Sequence, residues 1–226
     1  MSVLITAFEP FGDWERNTTR DVGEAVAARV GAELLVLPVD LEAAPQLLHA
    51  AIDDRKDTLR VLIALGLHGR SAQIRVERSA ENIADFRIAD NAGRRPRKER
   101  LVPEAPTRLV TSVDVDAVVD AMRATGASVE PSSNAGTYLC NAVYFHLLYR
   151  LRRWGVSTVF LHLPPAPGDA AAALARRDAA LSGDPVALAV VAEDRSVLAE
   201  ASMDLALQIE AVAAALDLLR GDDRPA

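Results

Sequence analysis

The chain has 226 residues and a formal charge of −7, with half of its residues hydrophobic and a quarter charged, enough for one sizeable packed α/β domain. The acidic balance argues against a general nucleic-acid binder, and no stretch approaches the ~20 apolar residues of a membrane span. One cysteine excludes an internal disulfide and fits a reducing compartment, and the N-terminal MSVLITAFEPFG lacks the basic-then-apolar pattern of a secretory signal, so a cytoplasmic protein is expected.

Val3–Phe8 is a short apolar run ending in Glu9-Pro10-Phe11-Gly12, the pattern of a buried strand entering a loop. Asn17-Thr18-Thr19 can cap a helix with apolar positions at Val22, Ala25, Val26 and Val30. Glu33–Val39 reads as a second strand. Leu47, Leu48, Ala51 and Ile52 form a helical stripe, and Leu59–Leu65 is a third strand ended by Gly66. This alternation points to a largely parallel sheet covered on both faces. The middle of the chain differs. Ile74–Arg78 and Ile83–Ile88 read as short strands, and Asp90–Arg100, with five basic residues, as a solvated loop. Val110–Val113 opens another unit, followed by a helix marked by Val115, Val118, Val119 and Met122 and a short strand at Ser128–Pro131. A helix carrying the lone cysteine comes next. Ser157–His162 is a strand entering a Pro-rich turn. Residues 169–200 are alanine-rich and read as helix with a break at Ser182-Gly183-Asp184-Pro185. Leu198–Leu219 repeats a helical pattern, and the tail GDDRPA frays. Without a repeat or linker, residues 1–226 are expected to form a single domain, with 168–200 as an Ala-rich insertion.

Cys140 falls in the first turn of its helix, after the turn-prone Asn134-Ala135-Gly136-Thr137. A helix N-terminus offers unpaired N–H groups and a positive dipole end, which favour a thiolate and can hold an oxyanion. A small buried hydrophobe is the plainer reading of a cysteine. A thiolate nucleophile needs a proton partner, normally histidine. His49 lies in a helical stripe. His146, six residues along the same helix, points elsewhere. His68, in the Gly66–Gly69 loop, stays open. His162 closes a strand at a loop, where α/β proteins place catalytic groups. Glu77 could orient the base; its plain alternative is a surface ion pair with Arg75 or Arg78.

The chain resembles the type I pyroglutamyl peptidases, also called pyrrolidone carboxyl peptidases. The resemblance rests on four motifs in one order: Thr6–Gly12 (TAFEPFG) with Asn17, Gln73–Gly93 (QIRVERSAENIADFRIADNAG), Asn134–Asn141 (NAGTYLCN) and Phe160–Pro167 (FLHLPPAP). It implies an α/β/α sandwich with a mostly parallel, mixed central sheet. It also implies hydrolysis of the bond after an N-terminal pyroglutamate by Cys140 as nucleophile, His162 as base and Glu77 as orienting carboxylate. No metal or cofactor is implied. The implied partners are peptides with N-terminal pyroglutamate, and the family assembles as homodimers or homotetramers. Phe8 and Phe11 are expected to clamp the lactam ring, Asn17 to stand near that pocket and Arg87 near the catalytic carbonyl.

This sequence departs from the family at Leu67, where glutamine is frequent, at Arg70, where a second glycine is usual, and at Thr18, where proline is usual. The loop departures bear on specificity. They keep two alternatives in view: a thiol amidase of altered specificity, and a non-catalytic binder of N-terminally blocked peptides. A phosphate-using hydrolase is disfavoured because no glycine-rich phosphate loop is present.

Overall fold

The computed structural model describes residues 2–180 and 200–221. Its frame is a six-stranded sheet. The strands are β1 (Ser2–Phe8), β2 (Glu33–Leu37), β3 (Leu59–Leu67), β4 (Ile74–Glu77), β7 (Val129–Ser132) and β8 (Ser157–Leu163), in spatial order β2-β1-β3-β8-β4-β7. All neighbours run parallel except β4 and β8, which are antiparallel. The sheet is therefore mostly parallel and mixed, as expected. β5 (Ser79–Glu81) and β6 (Arg108–Val110) form a separate antiparallel pair.

Helices cover both faces. On one lie α1 (Thr18–Val30), α3 (Val115–Arg123) and α6 (Leu205–Gly221), packed on Ile5, Ile63, Leu65 and Val159. On the other lie α2 (Ala43–Asp53) and α4 (Leu139–Leu151), packed on Leu4, Leu62, Ala64 and Phe160. The strands β1, β3 and β8 are buried on both faces, which is why they read as continuous apolar runs rather than alternating ones. Local sequence sets the helix ends. Asn17 caps α1 by accepting from Thr19 N–H, and Gly31 closes it at φ 66°, a left-handed conformation suited to glycine.

Three expectations are revised. β3 does not stop at Gly66 but continues to Leu67, pairing Gly66 with His162 and Leu67 with Leu163 on β8. Residues 83–88 do not form a strand. They make one isolated bridge, Ala84 to Glu99, and lay Phe86 into the core. The final helix begins at Leu205 rather than near 198, where the Asp204 carboxylate accepts from the Ala206 and Leu207 N–H groups. The alanine-rich stretch is helical as α5 (Pro167–Ala180). The break at 182–185, residues up to 199 and most of the tail lie outside the described residues. Among the described residues no helix is long and apolar enough to cross a membrane.

Candidate active site

Side-chain alternation along the strands assembles the site. On β8, Val159 and Leu161 point into the α1/α3/α6 layer and Phe160 into the α4 layer, so His162 also faces α4. On β4, Ile74 and Val76 take the first face, which turns Arg75 and Glu77 toward α4. The antiparallel register sets Arg75 opposite His162 and Glu77 opposite Phe160. This diagonal brings His162 Nδ1 to 2.8 Å from Glu77 Oε1. Both residues are buried, Glu77 fully.

The surface-pair alternative for Glu77 is thereby excluded. Arg75 instead bonds the Ser132 hydroxyl at 2.8 Å and pairs with Glu130, and Arg78 pairs with Asp116. Burial works against ionisation of Glu77. The His162 hydrogen bond and charge, the Ser132 hydroxyl and the Arg75 charge outweigh it and hold the carboxyl below its ordinary value. Burial likewise works against a charged His162. Hydrogen bonding and charge from Cys140 and Glu77 outweigh it and push the imidazole up to about 9. With Nδ1 turned to Glu77, Nε2 is left for the thiol.

Cys140 is the second residue of α4 and is partly exposed. The Tyr138 carbonyl accepts the first helical bond, from Ala142. The Leu139, Cys140 and Asn141 N–H groups therefore lie in the turn that intrahelical bonds leave unpaired. The sulfur sits over β3 at Gly66. A Cβ there would come within 2.9 Å of Cys140 Sγ and 2.6 Å of Phe160 Cζ, so only glycine leaves room for the thiol. In the sequence Gly66 reads only as a strand terminator; its role depends on a helix 74 residues away and has no local signal. Asn141 carries no signal of its own either. Its buried amide accepts from Glu81 N–H and donates to the Glu81 and Ile83 carbonyls, tying α4 to β5. Tyr144 adds a hydrogen bond to the Glu77 carbonyl.

A narrow apolar slot opens at the thiol between Phe8, Phe11, Leu67 and Tyr138, with Asn17 at its edge. Phe8, Phe11, Asn17 and Cys140 thus converge on one slot. Asn17 is also structurally committed, since its Nδ2 donates to the Glu9 carbonyl and its Oδ1 accepts from Thr19. Arg87 is exposed and faces a neighbouring basin that shares Phe11 with the slot. Its plain alternatives fail: Asp85 pairs with Arg97, and Asp90 accepts from the Leu41, Ala92 and Arg94 N–H groups.

The other histidines separate clearly. His49 and His146 form an edge-on pair with ring centroids 5.3 Å apart, and burial pushes His146 down to about 4. His68 lies edge-on to His162 with centroids 5.6 Å apart, and its Nε2 is 3.3 Å from Arg75 Nη1. Burial, with the charges of His162 and Arg75, pushes it down to about 4, so it is neutral near pH 7.

A model of the pyroglutamyl peptidase family matches residues 1–216. A pyrrolidone-carboxylate peptidase of Cupriavidus taiwanensis is 39% identical over 179 residues, covering 75% of this chain and 81% of that relative. One of Yersinia pestis is 33% identical over 216 residues, covering 92% and 94%. A variant of the pyrrolidone carboxyl peptidase of the hyperthermophile Pyrococcus furiosus superposes with a TM-score of 0.81 at 28% identity, covering 99% of this chain and all of that one.

Proposed function

Since the chain belongs to the pyroglutamyl peptidase family, cysteine peptidases that remove an N-terminal pyroglutamyl residue, we propose that Cys140, His162 and Glu77 carry out that reaction here. The observation that carries the residue assignment is the buried His162–Glu77 bond of 2.8 Å, with Cys140 Sγ set over Gly66, the residue that pairs with His162 between β3 and β8. His162 takes the thiol proton, and the resulting thiolate–imidazolium pair is held by Glu77. The sulfur attacks the pyroglutamyl carbonyl carbon. The Cys140 N–H, at the open end of α4, receives the oxyanion. His162 then protonates the departing amine, and water cleaves the thioester to release pyroglutamate.

The slot supports the substrate. A pyroglutamyl ring is flat, uncharged and small, which suits apolar walls with few polar groups. Phe8, Phe11 and Tyr138 supply aromatic walls, with the Phe11 and Tyr138 ring centroids 6.1 Å apart.

The test is release of aminomethylcoumarin from its pyroglutamyl amide by wild type and Cys140→Ala. The wild type is expected to turn over. The variant should lose activity by about 10⁴-fold or more, since loss of the nucleophile of such a unit costs most of the catalysis. Comparable rates in the two proteins would sink the assignment.

A further inference from the structure

Glu77 is fully buried, and Oε1 of its carboxyl group is held by His162 Nδ1 at 2.8 Å. Oε2 is enclosed beside it with no hydrogen-bond partner of ordinary geometry among the described residues. A charged oxygen left alone in the interior is costly, and a carboxylate anchored through one oxygen is free to swing about that anchor.

The register of the sheet sets a donor next to it. β4 and β7 run parallel, with Glu77 opposite Ser132. Paired residues on neighbouring strands point to one face, so the buried Ser132 hydroxyl shares the α4 side of the sheet with the carboxyl group. The Ser132 oxygen accepts two hydrogen bonds, from Arg75 Nη2 at 2.8 Å and from the Asn134 N–H at 3.2 Å. A hydroxyl has two acceptor positions and one proton to give. With both positions taken, the hydroxyl has its proton left to offer, and Glu77 Oε2 is an acceptor left without one. The same hydroxyl is among the groups that hold Glu77 below its ordinary value.

Arg75 keeps the serine oxygen in place. Its Nη1 lies 3.3 Å from His68 Nε2, and its Nε 3.3 Å from Glu130 Oε1. A guanidinium only donates, so His68 accepts at Nε2 as the neutral imidazole. Burial and the neighbouring charges, which push His68 down to about 4, agree with that. Engaged by Ser132, His68 and Glu130 together, the rigid fork has one orientation.

We infer that Ser132 is a positioning residue of this site: its hydroxyl donates to Glu77 Oε2 and fixes the plane of the carboxylate so that Oε1 faces His162, while Arg75, braced by His68, aims the hydroxyl. The inference rests on the assignment of Glu77 as the orienting carboxylate, and it adds the group that orients Glu77 in turn. A hydrogen bond to a charged group is stronger than one between neutral groups, so its loss is measurable.

The experiment measures kcat and KM on the pyroglutamyl coumarin amide for wild type, Ser132→Ala, Ser132→Thr, Glu77→Ala and the Ser132→Ala/Glu77→Ala double variant. Ser132→Ala is expected to lower kcat about tenfold and to leave KM within about twofold, because the slot walls are untouched. Ser132→Thr keeps the hydroxyl and should restore most of that loss. Glu77→Ala should lower kcat further, and adding Ser132→Ala to it should cost less than about twofold, since no carboxylate is left to orient. A residue that only packs β7 would cost the same in both backgrounds. Equal losses in the two backgrounds, a threonine variant as slow as the alanine one, or a Ser132→Ala rate equal to wild type would overturn the inference and leave the role of Glu77 standing. A Glu77→Ala rate equal to wild type would overturn that role, and the inference with it. Where Glu77→Ala does not fold, Ser132→Thr against Ser132→Ala decides. Where Ser132→Ala does not fold, Arg75→Lys takes its place in the cycle, since it keeps the charge but cannot bond Ser132 and His68 together.

Discussion

Gly66 shows how one absent side chain can decide a site. The space its Cβ would take is filled by Cys140 Sγ and the Phe160 ring, 2.9 and 2.6 Å away. Phe160 is fully buried and cannot swing aside. Gly66→Ala should therefore cost about 1–3 kcal/mol of stability through overpacking. It should also lower kcat more than it raises KM, because the displaced atom is the proposed nucleophile while the slot walls remain. Denaturant melts and steady-state kinetics on the coumarin amide check both; an unchanged kcat would show that the thiol relaxes at no cost. The residues proposed to carry the chemistry are visible in the sequence because their types are restricted: a lone cysteine opening a helix, a histidine closing a strand, a carboxylate between apolar neighbours. Gly66 and Arg75 are not, because their roles come from strand register, which pairs each with His162 across a different edge of β8.

At the scale of elements, α4 must hold its first turn against the sheet, yet Tyr138 supplies no side-chain cap there. Asn141 does the holding instead, through its three hydrogen bonds to residues 81 and 83. Asn141→Ala would leave the part-buried Glu81 N–H and Ile83 carbonyl without this partner, while the Glu81 carbonyl keeps the Ile83 N–H. It should cost about 3 kcal/mol, read as a lowered urea midpoint, and should slow alkylation of Cys140 as the turn loosens. A loss below about 1 kcal/mol would mean that water replaces the amide. The long strands and amphipathic helices are legible from their apolar periods. The segment 83–88 is not. Its alternating pattern matches a strand, but its backbone groups bond to Pro96, Glu99 and Thr137 in a loop that buries Phe86. Tertiary partners override local pattern there. The short strand β5 escapes notice for the converse reason, since three residues carry too little period to read.

For the molecule as a whole, the buried pair at the sheet centre makes stability depend on pH in a definite window. His162 binds its proton more tightly in the fold, up to about 9 against an ordinary 6.5. Its contribution is complete below 6.5 and is lost as pH rises through about 9. Glu77 is shifted downward from 4.5, so its contribution is complete above that value and is lost as pH falls through the lowered one. The Tm advantage of wild type over Glu77→Gln should therefore be greatest between pH 4.5 and 6.5 and narrow toward about pH 10. A gap constant with pH would assign Glu77 to packing alone. The antiparallel seam that creates this pair has a further consequence. His162 and Glu77 are 85 residues apart and meet only when β8 has inserted between β3 and β4. Closing a separation that long costs loop entropy before its contacts reward it. A chain in which β8 has not inserted holds the thiol apart from its proposed base, so proteolytic competence requires the closed sheet and does not accumulate along the way.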